Sequence, residues 1–366
     1  MRNKKIFHSG RAVFFLLVFI CCVIAVAVLK VASAIILPFV IAILLAFVMF
    51  PLIKLMDKIR IPRIISIFLV VCLIAAGMYL IGMVLFTSGK MIVVQAPQYE
   101  GRFKEIYDWA ANLFDLPNDE ALTLWQNLWD QEAIRAFVSD FTISLSNFFF
   151  KFISSTILLV FFIVFLLVET GIFREKLRTA FENRIEQINR MGNEIISQVS
   201  RYLAAKFLIS LINAVIFVIA FQLVGLEFAI VWGVIQFMLN FIPTLGSIVA
   251  GAAISLFAIL QFWPDPTPII IVIVIVLATN MILGNLIDPK VIGDNVGLSP
   301  LMVIISLSLW GWIWGFAGMV LAVPMTVIIK IVCENIPIME PVSIIMGSRK
   351  SVLAKKIESE KAETQP

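Results

Sequence analysis

Residues 64–87, IISIFLVVCLIAAGMYLIGMVLFT, contain no charged side chain, and the chain repeats such runs along its length. About 20 apolar residues of helix cross the hydrocarbon core of a bilayer. Single runs occupy 12–29, 34–53, 64–87, 148–168, 207–224 and 268–287. They read as helices by length alone. Two longer regions, 226–262 and 300–332, are split by glycine and proline. The expected fold is an all-α polytopic membrane protein with about eight membrane segments. Two of these are broken or re-entrant, and a small extracytoplasmic helical insertion is added. Composition agrees, with 61% hydrophobic and 14% charged residues. A soluble domain is about half apolar and about a quarter charged.

The first run follows Arg2, Lys4, Lys5 and Arg11, as a signal peptide would. It lacks a small-residue cleavage site and is followed at once by a second run, so a retained helix is expected. Cys21, Cys22, Cys72 and Cys333 all lie in apolar segments and His8 is the only histidine. These argue against a disulfide framework, a Cys- or His-based metal site and histidine catalysis. No cofactor and no nucleic-acid partner are expected.

Lys and Arg near span ends set orientation. Basic residues crowd the N-terminus, the 54–63 connection (Lys54, Lys58, Arg60, Arg63), the 170–206 connection and the tail. All four are expected on the cytoplasmic side. Residues 88–147 carry four bases and nine acids, a net −5, and are expected outside. Phe103, Ile106, Tyr107, Ala110 and Phe114 fall at helical spacing there, and Leu122, Trp125, Leu128 and Trp129 repeat the pattern. Trp125 and Trp129 suit headgroup level or the insertion's own core. The organisation expected is 1–87 as three helices, 88–147 as the insertion, 148–342 as the transport core and 343–366 as a charged tail. Within the core, 170–206 is expected as a cytoplasmic helix, with Leu177, Phe181, Ile185 and Ile188 on one face. Such a helix is either solvated or a coupling and subunit-contact element.

In 226–262, two short arms meet at Pro243-Thr-Leu-Gly246, and Gln236 and Asn240 share a helical face before the break. In 300–332, Gly311, Gly315 and Gly318 sit among three tryptophans, and Pro324 interrupts the second arm. A hairpin there keeps the basic tail inside. Backbone released from helical hydrogen bonding is tolerated only in protein or beside a wet cavity. Paired interrupted segments point to a transporter substrate site. The alternative is a kink used for packing alone.

Between the last single run and the second split region lies NLIDPKVIGDNVGLSPL, 285–301. Asn280 lies five residues before Asn285, and Asn285 shares a helical face with Asp288. Such a carboxylate with amide neighbours can bind a cation or exchange a proton. Lys290 can equally well neutralise Asp288, or Asp288 can cap the turn. The substrate or ion path expected is Gln236, Asn240, Asn280, Asn285 and Asp288. The broken-helix elements are Pro243, Gly246, Pro289, Pro300, Gly311, Gly315, Gly318 and Pro324. Ser299-Pro300 is suited to start a helix. Phosphate-loop, H-E-x-x-H and G-x-S-x-G motifs are absent, so no catalytic residue is assigned and an enzyme is not expected.

FIPTLGSIVAG, NLIDPKVIGDNVGLSPLMVIISL and WGWIWGFAGMVLAVP together resemble the C-terminal signature of the autoinducer-2 exporter family of bacterial permeases. Matching positions are Asn240, Pro243, Gly246, Asn285, Pro289, Gly293, Pro300, Gly311, Gly315, Gly318 and Pro324. The run LPFVIAILLAFVMFPLIKLMDKIRIPR is also typical. Thr244 departs from the aromatic residue expected there. The resemblance implies a multi-pass secondary transporter of the bacterial inner membrane. Some members are associated with autoinducer-2 export and others with Na⁺(Li⁺)/H⁺ antiport. The expected partners are membrane lipid, a small polar solute, H⁺ or Na⁺ as coupling ion, and further copies of the chain. A non-transporting oligomeric scaffold is the competing reading.

Overall fold

A computed structural model describes residues 4–113, 154–169, 172, 175–288 and 297–348. The elements are α1 (Lys4–Val31), α2 (Ser33–Lys58), α3 (Arg63–Leu113) and α4 (Ser154–Glu169). They are followed by α5 (Ile185–Val224), α6 (Ala229–Leu239), α7 (Leu245–Phe262) and α8 (Pro266–Thr279). The last helix continues as a π-helix over Asn280–Ile287. Then come α9 (Pro300–Glu334) and α10 (Glu340–Met346). The β pairing among the described residues is one isolated bridge, Leu298 with Gly347.

Five helical stretches are long and apolar enough to cross a membrane: Ile65–Val84, Ile185–Val224, Leu245–Phe262, Pro266–Ile287 and Pro300–Glu334. Phe19–Val31 and Ser33–Met49 pass together as a pair bent by 92°, which brings the number to six. The runs at 12–29 and 34–53 thus become two helices meeting at this bend. Ser154–Glu169 and Ala229–Leu239 are apolar but shorter.

Two expected boundaries give way to continuous helices. Residues 88–113 are not separated from the 64–87 span. They extend it as one helix of 51 residues, about 76 Å at helical rise. The second half of the insertion, with Trp125 and Trp129, lies outside the described residues. The 170–206 connection also merges with the span after it, in the 40-residue α5. Its start does not hold the expected apolar face. Phe181 is exposed, and a 3₁₀ turn at Glu182–Arg184 breaks the register between Leu177 and Ile185.

The described chain forms two compact units. The first comprises Met1–Phe47, Phe162–Val199 and Gly297–Pro366. Ser299 starts α9 as its N-cap, accepting from the Met302 amide at 3.2 Å, with Pro300 in the first turn. The helix then reverses at Gly315, whose φ of 63° and ψ of −140° suit glycine. Ser306 lies 2.5 Å from the Thr326 hydroxyl. Twenty residues of straight helix would hold them about 30 Å apart, so 300–314 and 316–334 are antiparallel arms. At Gly318 a Cβ would overlap the Trp310 carbonyl. Trp314 donates its indole N–H to the Leu29 carbonyl of α1 at 2.9 Å, and Lys30 lies 3.7 Å over the Trp312 ring. A carbonyl near the end of α1, lacking a helical partner, thereby gains a donor.

The second unit comprises Val48–Phe161 and Ser200–Val296. Phe217 and Phe221 of α5 pack with Leu226, Ala229, Ile254, Ala258, Val272 and Val276. α6 and α7 are antiparallel, with the Trp232 and Phe257 rings 5.3 Å apart. Gly225 ends α5 at φ 84°, and the Leu226 amide reaches back to the Phe221 carbonyl at 2.9 Å. This is a left-handed C-terminal cap. Buried Gln261 clamps that turn, donating to the Gly225 carbonyl and accepting from the Glu227 amide, both at 2.8 Å. Tyr99 of α3 donates to the Glu227 carboxylate, and Trp109 stacks edge-on against Trp263. Glu227 is thus held by an anchoring contact.

Candidate functional site

The second unit gathers its buried polar side chains around the break between α6 and α7. The stripe Gly233, Gln236, Asn240 on α6 faces α5. Gly233 approaches α5 so closely that a Cβ would overlap Val218, with the Ala214 carbonyl 3.1 Å away. Asn240 donates to Ser210 of α5 at 2.9 Å. Gln236 lies between these two contacts and is fully buried. Its Nε2 donates to Asn280 Oδ1 on α8 at 3.2 Å. Asn280 in turn donates to the Ser247 carbonyl of α7, and Ser247 donates to Asn240 Oδ1, both at 3.5 Å. Gly251 lets α8 come near, since a Cβ there would stand 3.0 Å from Val276 and 3.6 Å from the Asn280 amide nitrogen. Four elements therefore meet through side-chain amides.

The break itself is a tight turn. Leu245 N–H donates to the Pro243 carbonyl at 2.7 Å, and Thr244 between them has φ 64° and ψ −54°. These angles and the two-residue bond define a γ-turn of the rare, strained hand. At Gly246 a Cβ would overlap the Leu239 carbonyl, so only glycine fits as the chain doubles back. Thr244, the departure from the family pattern, is the residue that carries the strain.

Below this cluster on α5, Lys206 is buried and paired with Asp288 at 2.5 Å. Lys206, the last base of the 170–206 connection, is therefore not solvated. Asp288 is held by Lys206; Lys290 lies outside the described residues. Asp288 Oδ1 is buried without a hydrogen-bond partner among the described residues. The Asp288 amide donates five residues back, to Leu283. That π-helical bonding displaces the register on which Asn285 and Asp288 were expected to share a face. Asn285 is exposed and takes no part in the network.

Of the expected path residues, Gln236, Asn240 and Asn280 are thus joined in one network. Asp288 is tied to α5 instead, and Asn285 stands apart. Pro243 and Gly246 form the turn. Pro300, Gly311, Gly315, Gly318 and Pro324 belong to the other unit, where Gly311 faces Met319 and Pro324 is buried. Pro289 lies outside the described residues. Sequence reasoning missed Lys206, Ser210 and Asn213. The available signal was their spacing. Lys206, Ser210 and Asn213 recur at four and three residues on one helical face, and the latter two interrupt the apolar run 207–224. Among the described residues no group of three His, Cys, Asp or Glu is placed to hold a metal.

Many apolar helices and a buried amide network beside a broken helix define a multi-pass membrane protein with an interior polar site. The family model described as AI-2E family transporter matches residues 14–338, and the chain belongs to that family. Similar proteins include a "Putative transport protein" of Borreliella burgdorferi, 27% identical over 90% of each chain. A protein of the same description from Haemophilus influenzae is 30% identical over 86% of this chain and 90% of its own length. The AI-2 transport protein TqsA of Escherichia coli K12 is 29% identical over 84% of this chain and 88% of its own.

Proposed function

We propose that this chain is a secondary transporter of a small polar solute, with its path through the Gln236–Asn280–Ser247–Asn240–Ser210 network. The observation that carries the reading is this network: five polar residues from four elements, meeting where α6 and α7 are interrupted. Amides and hydroxyls recognise polar solutes by hydrogen bonding without the desolvation cost of a fixed charge. Intramembrane polar groups of this kind accompany solute and ion pathways. Family membership supports the transporter role, and the name of TqsA makes autoinducer-2 the first solute to test. The proposed setting is the bacterial inner membrane, with both termini cytoplasmic, a re-entrant 300–332 hairpin and a homo-oligomeric assembly.

Proteoliposomes containing the purified chain should take up or release autoinducer-2 or a related polar solute. Flux should respond to an imposed H⁺ or Na⁺ gradient. Asn240→Ala and Asn280→Ala should lose most of that flux while eluting as folded protein. Unchanged flux in both variants would remove the site assignment. Absence of flux for every solute and gradient would favour the scaffold. Proton-linked Na⁺ or Li⁺ movement without solute would favour antiport.

A further inference from the structure

Lys30 is the one charged residue between Ala12 and Ile53. The uncharged residues 12–29 separate it from Arg11 along α1. They amount to about 27 Å of helix, close to the thickness of a hydrocarbon core. Val13, Leu16, Phe19, Val23 and Val28 in this stretch are exposed, as a lipid-facing helix requires. With Arg11 at one membrane surface, Lys30 stands at the other.

The tip of the Gly315 hairpin is fixed at the same level. The Lys30 ammonium lies 3.7 Å over the Trp312 ring, and Trp314 donates to the Leu29 carbonyl. Both tryptophans lie within one turn of Gly315. The arms 300–314 and 316–334 measure about 22 and 28 Å, enough to carry the tip most of the way across. Trp314 is 7% exposed, while Trp312 is 62% exposed. An exposed tryptophan beside a lysine suits a membrane–water interface, where a lysine keeps its stem on apolar surface and its head among polar groups.

The ammonium has no counter-charge in the elements that hold it. Residues 300–329 carry no charge. Among the described residues, the lysines in ion pairs are Lys176, Lys206 and Lys330. The Trp312 ring attracts the ammonium on one side and fixes where it sits. A phosphate suits the open side, since lysine binds phosphate as a point charge, and the indole adds an N–H donor at the same level. Deeper in the membrane, the same faces are apolar and exposed. Val23 lies two turns before Lys30, and Leu309 and Ile305 lie one and two turns before Trp312. A cation set over exposed apolar strips matches a phospholipid, in which a phosphate is joined to acyl chains. We propose that Lys30 and Trp312 bind the phosphate of a phospholipid headgroup, with an acyl chain along Val23, Ile305 and Leu309. Basic pockets between membrane helices take lipid headgroups in this way. The site stands apart from the amide network and does not depend on the transport reading.

The test is a lipid titration of the delipidated full chain in detergent, read by native mass spectrometry as lipid bound per chain. The probes are phosphatidylglycerol, phosphatidylcholine and diacylglycerol with the same acyl chains. The expected result is tighter binding of both phospholipids than of diacylglycerol. Lys30→Gln should weaken phosphatidylglycerol binding roughly fivefold, and Lys30→Arg should retain it. No preference over diacylglycerol, or unchanged phosphatidylglycerol binding in Lys30→Gln, overturns the proposal. Equal losses in Lys30→Gln and Lys30→Arg assign the effect to packing and also overturn it. Displacement of phosphatidylglycerol by millimolar inorganic phosphate assigns the site to a soluble anion, with the same consequence. A depth measurement keeps the test open if Lys30→Gln fails to fold. Phe316→Cys, in a chain whose Cys21, Cys22, Cys72 and Cys333 are replaced by alanine, carries a fluorophore at the hairpin tip in vesicles. Nitroxide at the headgroup should quench it more than nitroxide at mid-chain. Stronger quenching from mid-chain would put the tip at the midplane, away from any headgroup, and defeat the proposal.

Discussion

Two helix reversals among the described residues, at Thr244 and at Gly315, look alike in sequence and differ in chemistry. Around Thr244, the reversal is lined by amides and hydroxyls from α5, α6, α7 and α8, linked side chain to side chain. Around Gly315, the arms are held by packing and by a local pair of hydroxyls. Trp310 stacks on Trp314 at 5.0 Å, and the Ser306 and Thr326 hydroxyls, 2.5 Å apart, share the Ala322 carbonyl, one donating to it and the other to its partner hydroxyl. The second set is self-satisfied within one helix hairpin. The first set binds several elements together and leaves acceptors unpaired. A helix break alone is therefore a poor marker of a binding site. What separates them is whether the polar groups nearby exhaust one another.

The buried lysines sharpen this contrast and give the largest expected effect. Lys206 pairs with Asp288, 82 residues away, whereas Lys330 pairs with Glu334 on the next turn at 3.4 Å. Lys206→Met strands Asp288 and should cost about 3–5 kcal/mol. Lys330→Met leaves Glu334 about as exposed as Asp288, 23% against 20%, but removes only an i,i+4 pair within one helix, and should cost roughly 1 kcal/mol. Thermal midpoints of the two variants compare them directly. The double variant Lys206→Met/Asp288→Asn should recover most of the first loss. Equal losses in the two single variants would dissolve the distinction between a long-range tie and a local one.

Next in size is Gly315→Ala. No atom lies within 4 Å of the added Cβ, so the cost is backbone alone, about 1–3 kcal/mol. The expected result is a lowered midpoint, with flux per folded molecule close to wild type. Flux lost at unchanged stability would move the Gly315 hairpin from packing to function.

Gln236→Leu and Ser306→Ala test the polar groups of each reversal. Each should cost about 1 kcal/mol: Gln236→Leu strands Asn280 Oδ1, and Ser306→Ala removes one hydrogen bond while Thr326 still serves the Ala322 carbonyl. Only Gln236→Leu should abolish flux. Matching flux losses would erase the difference between the two regions.

Much of this was legible from the residues. Length and hydropathy located α5, α7, α8 and α9, and Pro243 to Gly246 located the turn. Gln236 and Asn240 could be paired because a four-residue spacing fixes a face in an α-helix. Asn285 and Asp288 could not, because the π-helical end of α8 alters the spacing rule. Lys206 was passed over for a different reason. Charge near a span end suggests solvent, and only the approach of Asp288 from α8 reveals that it is buried. Ser210 and Asn213 were passed over because two polar residues scarcely alter the hydropathy of a long run. Their meaning depends on what α6 places opposite them.

The smallest effect expected is also the most informative about the strained turn. Thr244 is exposed, so Thr244→Gly removes no packing. It relieves a β-branched residue of a positive φ, and should raise stability by about 1 kcal/mol or less. If the γ-turn holds the α6 and α7 ends in one of two arrangements, relieving it should change flux as well, and a raised midpoint should accompany slower transport. A raised midpoint with unchanged flux would make the turn a tolerated irregularity of the chain reversal. The polar groups around it would then carry the difference between the two breaks on their own.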